Sequence, residues 1–113
     1  MRRTQIRIQQ LHFLGEQDGP PEQELKKQLT AFLGGAHWVR VAYLARVTYE
    51  DKGCATVALC VRGQPGQARV FAERVGRVFA SIFGSHEHLD IIWLAPEQEA
   101  ALMQVCQPFF ELD

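Results

Sequence analysis

Residues 38–62 constrain the fold more than any other stretch, because two alternating runs meet there at a short turn. The odd positions of both runs are apolar or aromatic, which is the period of strands with one buried face. Between the runs, Gly53 follows Asp51 and Lys52, and glycine supplies the positive φ that a tight hairpin loop requires. We therefore predict one long β-hairpin whose odd-numbered side chains point into the core. They are Val39, Val41, Tyr43, Ala45, Val47, Tyr49, Ala55, Val57, Leu59 and Val61.

Two strands and three helices are predicted around this hairpin. Residues 4–14 alternate but shift phase at Gln9 and Gln10, which indicates either a bulged strand or a strand that ends in an extended arm. Helical spacing of apolar residues, with Pro near the start and Gly near the end, marks the helices. The further elements are helices over 21–33 and 67–83, a strand over 89–94, and a final helix from Pro96 that ends before Pro108.

This order, β-α-β-β-α-β, predicts an α+β fold of ferredoxin-like topology. Its four strands would form an antiparallel sheet, its two crossover helices would cover one face, and the C-terminal helix would be an addition. A rival arrangement has a three-stranded sheet in which the first run is only an arm. At 113 residues the chain is long enough for one domain with a real core, so we assign residues 1–113 to a single domain.

Composition narrows the class of protein. Apolar residues make up 47% and charged residues 22%, the balance of an ordinary globular protein. The formal net charge of −1 creates no field that would draw the chain to nucleic acid or to an acidic membrane. Three cysteines without a CxxC pair indicate reduced thiols, and neither a signal peptide nor a membrane span is visible. We predict a cytoplasmic protein.

Chemical motifs are weak. The serines lack a nucleophile-elbow motif, and the glycines lack a phosphate-binding pattern, so we predict a non-enzymatic protein without a cofactor. His86, His88 and Asp90 are metal ligands by type. They lack a partner pair at a diagnostic spacing, and solvated loop residues are the better interpretation. No metal site is therefore predicted, and these three residues stay weak candidates.

A protein interface fits the opposite face of the predicted hairpin. Aromatic and Arg residues around an apolar centre are typical of interfaces. The residues predicted to form this surface are Trp38, Arg40, Leu44, Arg46 and Arg62. RNA binding is disfavoured, because the central strand would present no aromatic side chains for base stacking. The alternative is that the last helix folds across this face and buries it.

Three short segments resemble the C-terminal domain of the SseB family, the bacterial enhanced serine sensitivity proteins. They are a turn and helix that begin near Pro20-Pro21 and end before an Ala42-Tyr43-Leu44 strand, the run Asp90-Ile91-Ile92-Trp93-Leu94, and Pro108-Phe109-Phe110 near the end. The resemblance implies a non-enzymatic bacterial domain with no catalytic residues. Our hypothesis is a regulatory or protein-interaction domain that binds a partner or self-associates through its sheet. The alternatives are a small-ligand or metal-sensing domain and an immunity-type protein that neutralises its partner.

Overall fold

The computed structural model describes residues 11–35, 39–49, 55–63, 68–84, 87 and 89–112. Strands and helices follow one another in the predicted order, with one short strand added at the C-terminus. The elements are β1 (Leu11–Glu16), α1 (Pro20–Leu33), β2 (Val39–Tyr49), β3 (Ala55–Gly63), α2 (Ala68–Phe83), β4 (Leu89–Trp93), α3 (Pro96–Met103) and β5 (Phe110–Glu111). The α+β class is thereby confirmed. None of the described helices has the length and apolar character needed to cross a membrane.

The sheet has five strands and is mixed. Its order is β1-β2-β3-β4, and β5 pairs with β2 on the side that β1 also uses. β1, β3 and β5 run antiparallel to β2, whereas β4 runs parallel to β3. This last pairing follows from the connection, because α2 carries the chain back along the sheet before β4 begins.

The ferredoxin-like topology is not confirmed. That topology places the first strand beside the third, but here β1 pairs with β2, with Leu11 opposite Tyr49. The prediction of a wholly antiparallel sheet is wrong for the β3–β4 pair. The described part of the first run is a paired strand rather than a free arm. Its bulge lies between Phe13 and Gly15, while Gln9 and Gln10 lie outside the described residues.

Helix α1 forms where proline and leucine spacing predicted it. Pro20 and Pro21 occupy the first turn, where a missing N–H removes no helical hydrogen bond. Leu25, Leu29 and Leu33 recur on one face and are fully buried. The Nζ of Lys26 bonds to Glu16 at 2.8 Å and to Asp18 at 3.1 Å, which ties the helix back to β1 and its turn.

Helix α2 packs beside α1 on the same face of the sheet. Phe71, Val75 and Phe79 form its buried stripe. The rings of Phe32 and Phe71 stack with centroids 5.6 Å apart. Together with Leu44 and Leu59 of the hairpin, these residues belong to one core cluster.

The other face of the sheet is also covered. Tyr43, Ala45, Ala58 and Cys60 form a second core cluster with Leu102 of α3 and with Cys106. The chain then runs along β2, where the Phe109 N–H donates to the Ala42 carbonyl at 2.9 Å. The added C-terminal helix therefore lies on the face opposite α1 and α2, and the predicted one-sided covering by helices is incomplete.

The register between β2 and β3 explains why the prediction that the odd-numbered side chains of both strands share one face is wrong. Leu44 lies opposite Leu59, and Tyr43 lies opposite Cys60. Directly opposed residues of an antiparallel pair share a face. From Val41 to Val47, odd positions of β2 therefore share a face with even positions of β3, not with its odd positions. Val39 lies beyond a bulge and packs in the same cluster as Leu59 and Val61, as predicted. Each face of the hairpin receives apolar side chains, and each is buried by a different set of helices.

Candidate interaction surface

The surface predicted from sequence does not come together in the structure. Leu44 is 0% exposed beneath α1 and α2, so it cannot contact a partner. Arg40, Arg46 and Arg62 are exposed, whereas Trp38 lies outside the described residues. Arg62 is on the α3 face, because it shares that side of β3 with Cys60. The residues predicted to form one interface are therefore divided between the two faces of the sheet.

Arg62 instead takes part in a polar cluster beneath α3. The Nε of Arg62 lies 2.5 Å from one carboxylate oxygen of Glu99, and the Tyr43 hydroxyl donates to the other at 2.8 Å. Tyr43 is only 1% exposed. Burial, and then the hydrogen bond to the Glu99 carboxylate, raise the pKa of Tyr43 well above its usual value. A phenol held neutral in this way joins α3 to the sheet and does not act as a base at neutral pH.

The two described cysteines are packing residues. Burial raises the pKa of Cys106 to about 11, and it raises the pKa of Cys60 further still. Because the thiolate is the reactive form, neither sulfur has the character of a nucleophile at neutral pH. Cys54 lies outside the described residues.

The weak metal candidates are only partly within the described chain. Asp90 is half-buried on β4, whereas His86 and His88 lie outside the described residues. Among the residues that the structure describes, no group of three His, Cys, Asp or Glu side chains could hold a metal ion. The absence of a metal site stays a prediction.

An open groove lies between α2 and β4, and sequence reasoning missed it. Its volume is about 430 Å³. The α2 wall includes the small residues Ala72, Gly76 and Ala80 beside Val75 and Phe79, and the floor includes Leu89 and Ile91 of β4. The signal in the sequence is the four-residue spacing of the small residues, which places them on one side of the helix. Phe32 of α1 contacts α2 at Phe71 and Arg74, which do not line the groove.

Strand β4 also presents an edge beside this groove that no other described strand covers, called its free edge below. Within the described part of the chain, β4 pairs with β3 alone. The Leu94 N–H donates to the Val61 carbonyl at 2.8 Å, so backbone groups at the even positions face β3. By alternation, the N–H and C=O groups of Leu89 and Ile91 point away from the sheet. These groups can bond an added extended chain, as exposed sheet edges do in peptide recognition.

Charge is uneven along the groove. Glu87 lines one end, where the carbonyl end of α2 reaches Gly84, whereas Asp90 pairs with Ala58 and its carboxylate lies on the α3 face of the sheet. The opposite end lies near Trp93, because its ring packs against Phe71 at 5.7 Å between centroids. There the first turn of α2 carries an exposed Arg69 on the groove side, seven residues before Gly76. The groove is therefore negative at one end and positive at the other, and the helix dipole adds to both.

Comparison with known proteins gives no relative, since no family model, no curated protein and no solved structure matches the chain. The resemblance to the SseB C-terminal domain therefore stays a prediction.

Proposed function

We propose that this protein is a protein-interaction domain that binds an extended segment of a partner along the free edge of β4. The observation that carries the proposal is the position of the apolar groove directly beside that edge. Main-chain hydrogen bonds to Leu89 and Ile91 would supply affinity. Alternate side chains of the bound segment would enter the groove and supply specificity.

Burial of both sheet faces supports this choice over binding through an open sheet. Leu44 and Tyr43, on opposite faces of β2, are both inaccessible, so the free backbone of β4 offers more to a partner than either face. The small side chains of α2 support it as well. Ala72 and Gly76 are exposed, and a Cβ added at Gly76 would meet no atom within 4 Å, which leaves space for incoming side chains.

Selection from a random peptide library on the immobilised protein tests the proposal. Bound peptides should alternate apolar and polar residues, and they should slow amide exchange at Leu89 and Ile91. Replacing Ala72 with Arg should weaken the same peptides by at least about tenfold, a loss of about 1.4 kcal/mol. Ala101→Arg, at an exposed alanine of α3, is the matched control and should bind as the wild type does. Equal binding by Ala72→Arg, or unchanged exchange at both amides, would overturn the proposal.

A small cationic ligand is the second candidate occupant. The groove volume of about 430 Å³ lies within the range of roughly 300–1,000 Å³ seen for ligand pockets, and Glu87 gives one end negative charge. Thermal unfolding with added zinc and other cations tests this function in the wild type and in a His86→Ala/His88→Ala variant. A midpoint that no cation shifts would eliminate the cation-sensing alternative.

A further inference from the structure

We propose that the partner at this edge is a second copy of the chain, bound antiparallel so that the two sheets become continuous across β4. This inference rests on the proposed function and names its partner. A two-fold axis near Ile91 would bring the β4 strands of the two copies together. The same axis would bring their α2 helices side by side, because α2 crosses the sheet next to β4.

Backbone geometry suits this pairing. The outward N–H and C=O of Ile91 would exchange both hydrogen bonds with Ile91 of the second copy, as directly opposed residues do in an antiparallel ladder. Asp90 and Ile92, whose backbone groups face β3, would keep their present bonds. The joined sheet would then leave neither β4 strand with an open edge.

Charge complementarity selects the second copy as occupant. A groove that is negative at one end and positive at the other is complementary to itself when one copy is turned by a two-fold rotation. Arg69 lies seven residues before Gly76, and Phe83 lies seven residues after it. In an antiparallel helix pair centred at Gly76, Arg69 therefore faces the end of the second α2, next to Glu87 of that copy.

A second pair of charges supports the same orientation. Glu73 lies three residues before Gly76 and Arg77 one residue after it, and both side chains are exposed. An antiparallel pairing brings Glu73 of each copy beside Arg77 of the other. Within the described chain, no ion pair involves Arg69, Glu73 or Arg77. The small residues Ala72, Gly76 and Ala80 would let the two helices approach closely enough for these pairs to form.

Sedimentation equilibrium over a range of protein concentrations measures the association. We expect a wild-type dimer, an Ala72→Arg monomer, and an Ala101→Arg dimer as the matched control. Arg69→Glu and Glu87→Arg should each weaken the dimer about tenfold, and the double reversal should restore most of the affinity. Circular dichroism of each variant confirms that the protein remains folded, which is expected because every substituted position is exposed.

Amide exchange gives an independent measurement. Exchange at Ile91 should slow as protein concentration rises, while exchange at Ile92 should not depend on concentration. A wild type that stays monomeric, or a dimer that neither Ala72→Arg nor a single charge reversal weakens, would overturn the inference. A monomeric wild type that still binds library peptides at β4 refutes only the second copy as partner. A wild type that neither dimerises nor binds library peptides at β4 refutes the proposed function as well.

Discussion

The Tyr43 hydroxyl donates a 2.8 Å hydrogen bond to the carboxylate of Glu99, which lies 56 residues further along the chain. This bond joins the central strand β2 to α3, and Arg62 of β3 holds the second carboxylate oxygen. Both strands of the hairpin therefore meet the distant helix α3 at one carboxylate. The cluster accounts for the position of the C-terminal helix on the face of the sheet that α1 and α2 leave uncovered.

Removal of the Tyr43 hydroxyl should weaken this attachment. Tyr43→Phe keeps the ring in place but removes a hydrogen bond to a charged group, so the free energy of unfolding should fall by about 1.5–3 kcal/mol. Urea titration measures the change. Glu97→Gln, an exposed substitution on the same helix, should change stability by less than about 0.5 kcal/mol. A Tyr43→Phe variant as stable as this control would show that the bond contributes nothing.

Stability should fall with rising pH above about 10. The pKa of Tyr43 is raised in the folded state, so the folded phenol keeps its proton where the unfolded phenol, with a pKa near 10.0, has lost it. The stabilisation of the folded state that comes from the raised pKa of Tyr43 is complete below pH 10. It is lost as the pH rises toward the folded pKa, by up to about 1.4 kcal/mol per pH unit. Urea titrations from pH 8 to pH 11, spanning roughly the tyrosine range, measure it. The slope of Tyr43→Phe should be shallower above pH 10, and an identical slope would contradict the assignment.

Leu44 should behave as a core residue rather than an interface residue. Leu44→Ala removes a fully buried side chain from the cluster beneath α1 and α2, and it should cost about 2–5 kcal/mol of unfolding free energy. Leu14→Ala is the control, because the Leu14 side chain is 48% exposed, and it should cost less than about 1 kcal/mol. Thermal or urea unfolding compares the two variants, and equal losses would contradict the placement of Leu44.

The thiols of Cys60 and Cys106 should resist alkylation in the native protein. Both sulfurs are buried, and burial raises both pKa values. In a Cys54→Ser background, iodoacetamide at neutral pH should label neither residue until denaturant unfolds the chain, and mass spectrometry of peptides reads the result. Rapid labelling of either cysteine without denaturant would contradict its burial.

Two glycines should respond to alanine in opposite directions. Gly84 has a φ of 94°, a conformation that side chains disfavour, so Gly84→Ala should destabilise the protein by about 1–3 kcal/mol. Gly76 lies inside α2, and an added methyl group there would meet no atom within 4 Å, so Gly76→Ala should stabilise the monomer by about 0.5–1 kcal/mol. Urea titration at a low protein concentration separates this effect from association. If both substitutions changed the free energy of unfolding in the same direction, the backbone conformations described for Gly76 and Gly84 would be contradicted.

Local patterns in the sequence determined most of the secondary structure. Leu25, Leu29 and Leu33 predict α1 because their spacing places them on one face of a helix. Gly34 follows the last of them, and the helix ends at Leu33 in the structure. Period and terminal residues act within a few positions of one another, so no distant contact is needed to interpret them.

Tertiary structure alone decided the pairing partners of β1, β4 and β5, and which side chains of the two hairpin strands share a face. Alternation assigns Tyr43 and Leu44 to opposite sides of β2, but it does not say which side of β3 each will join. That depends on the register across the hairpin, and a shift of one residue exchanges every side chain between faces. The free edge of β4, and the groove beside Ala72 and Gly76, depend in turn on where the parallel crossover placed that strand. Those positions follow from strand pairing between residues far apart in the chain, and the spacing of residues within one segment does not indicate that pairing.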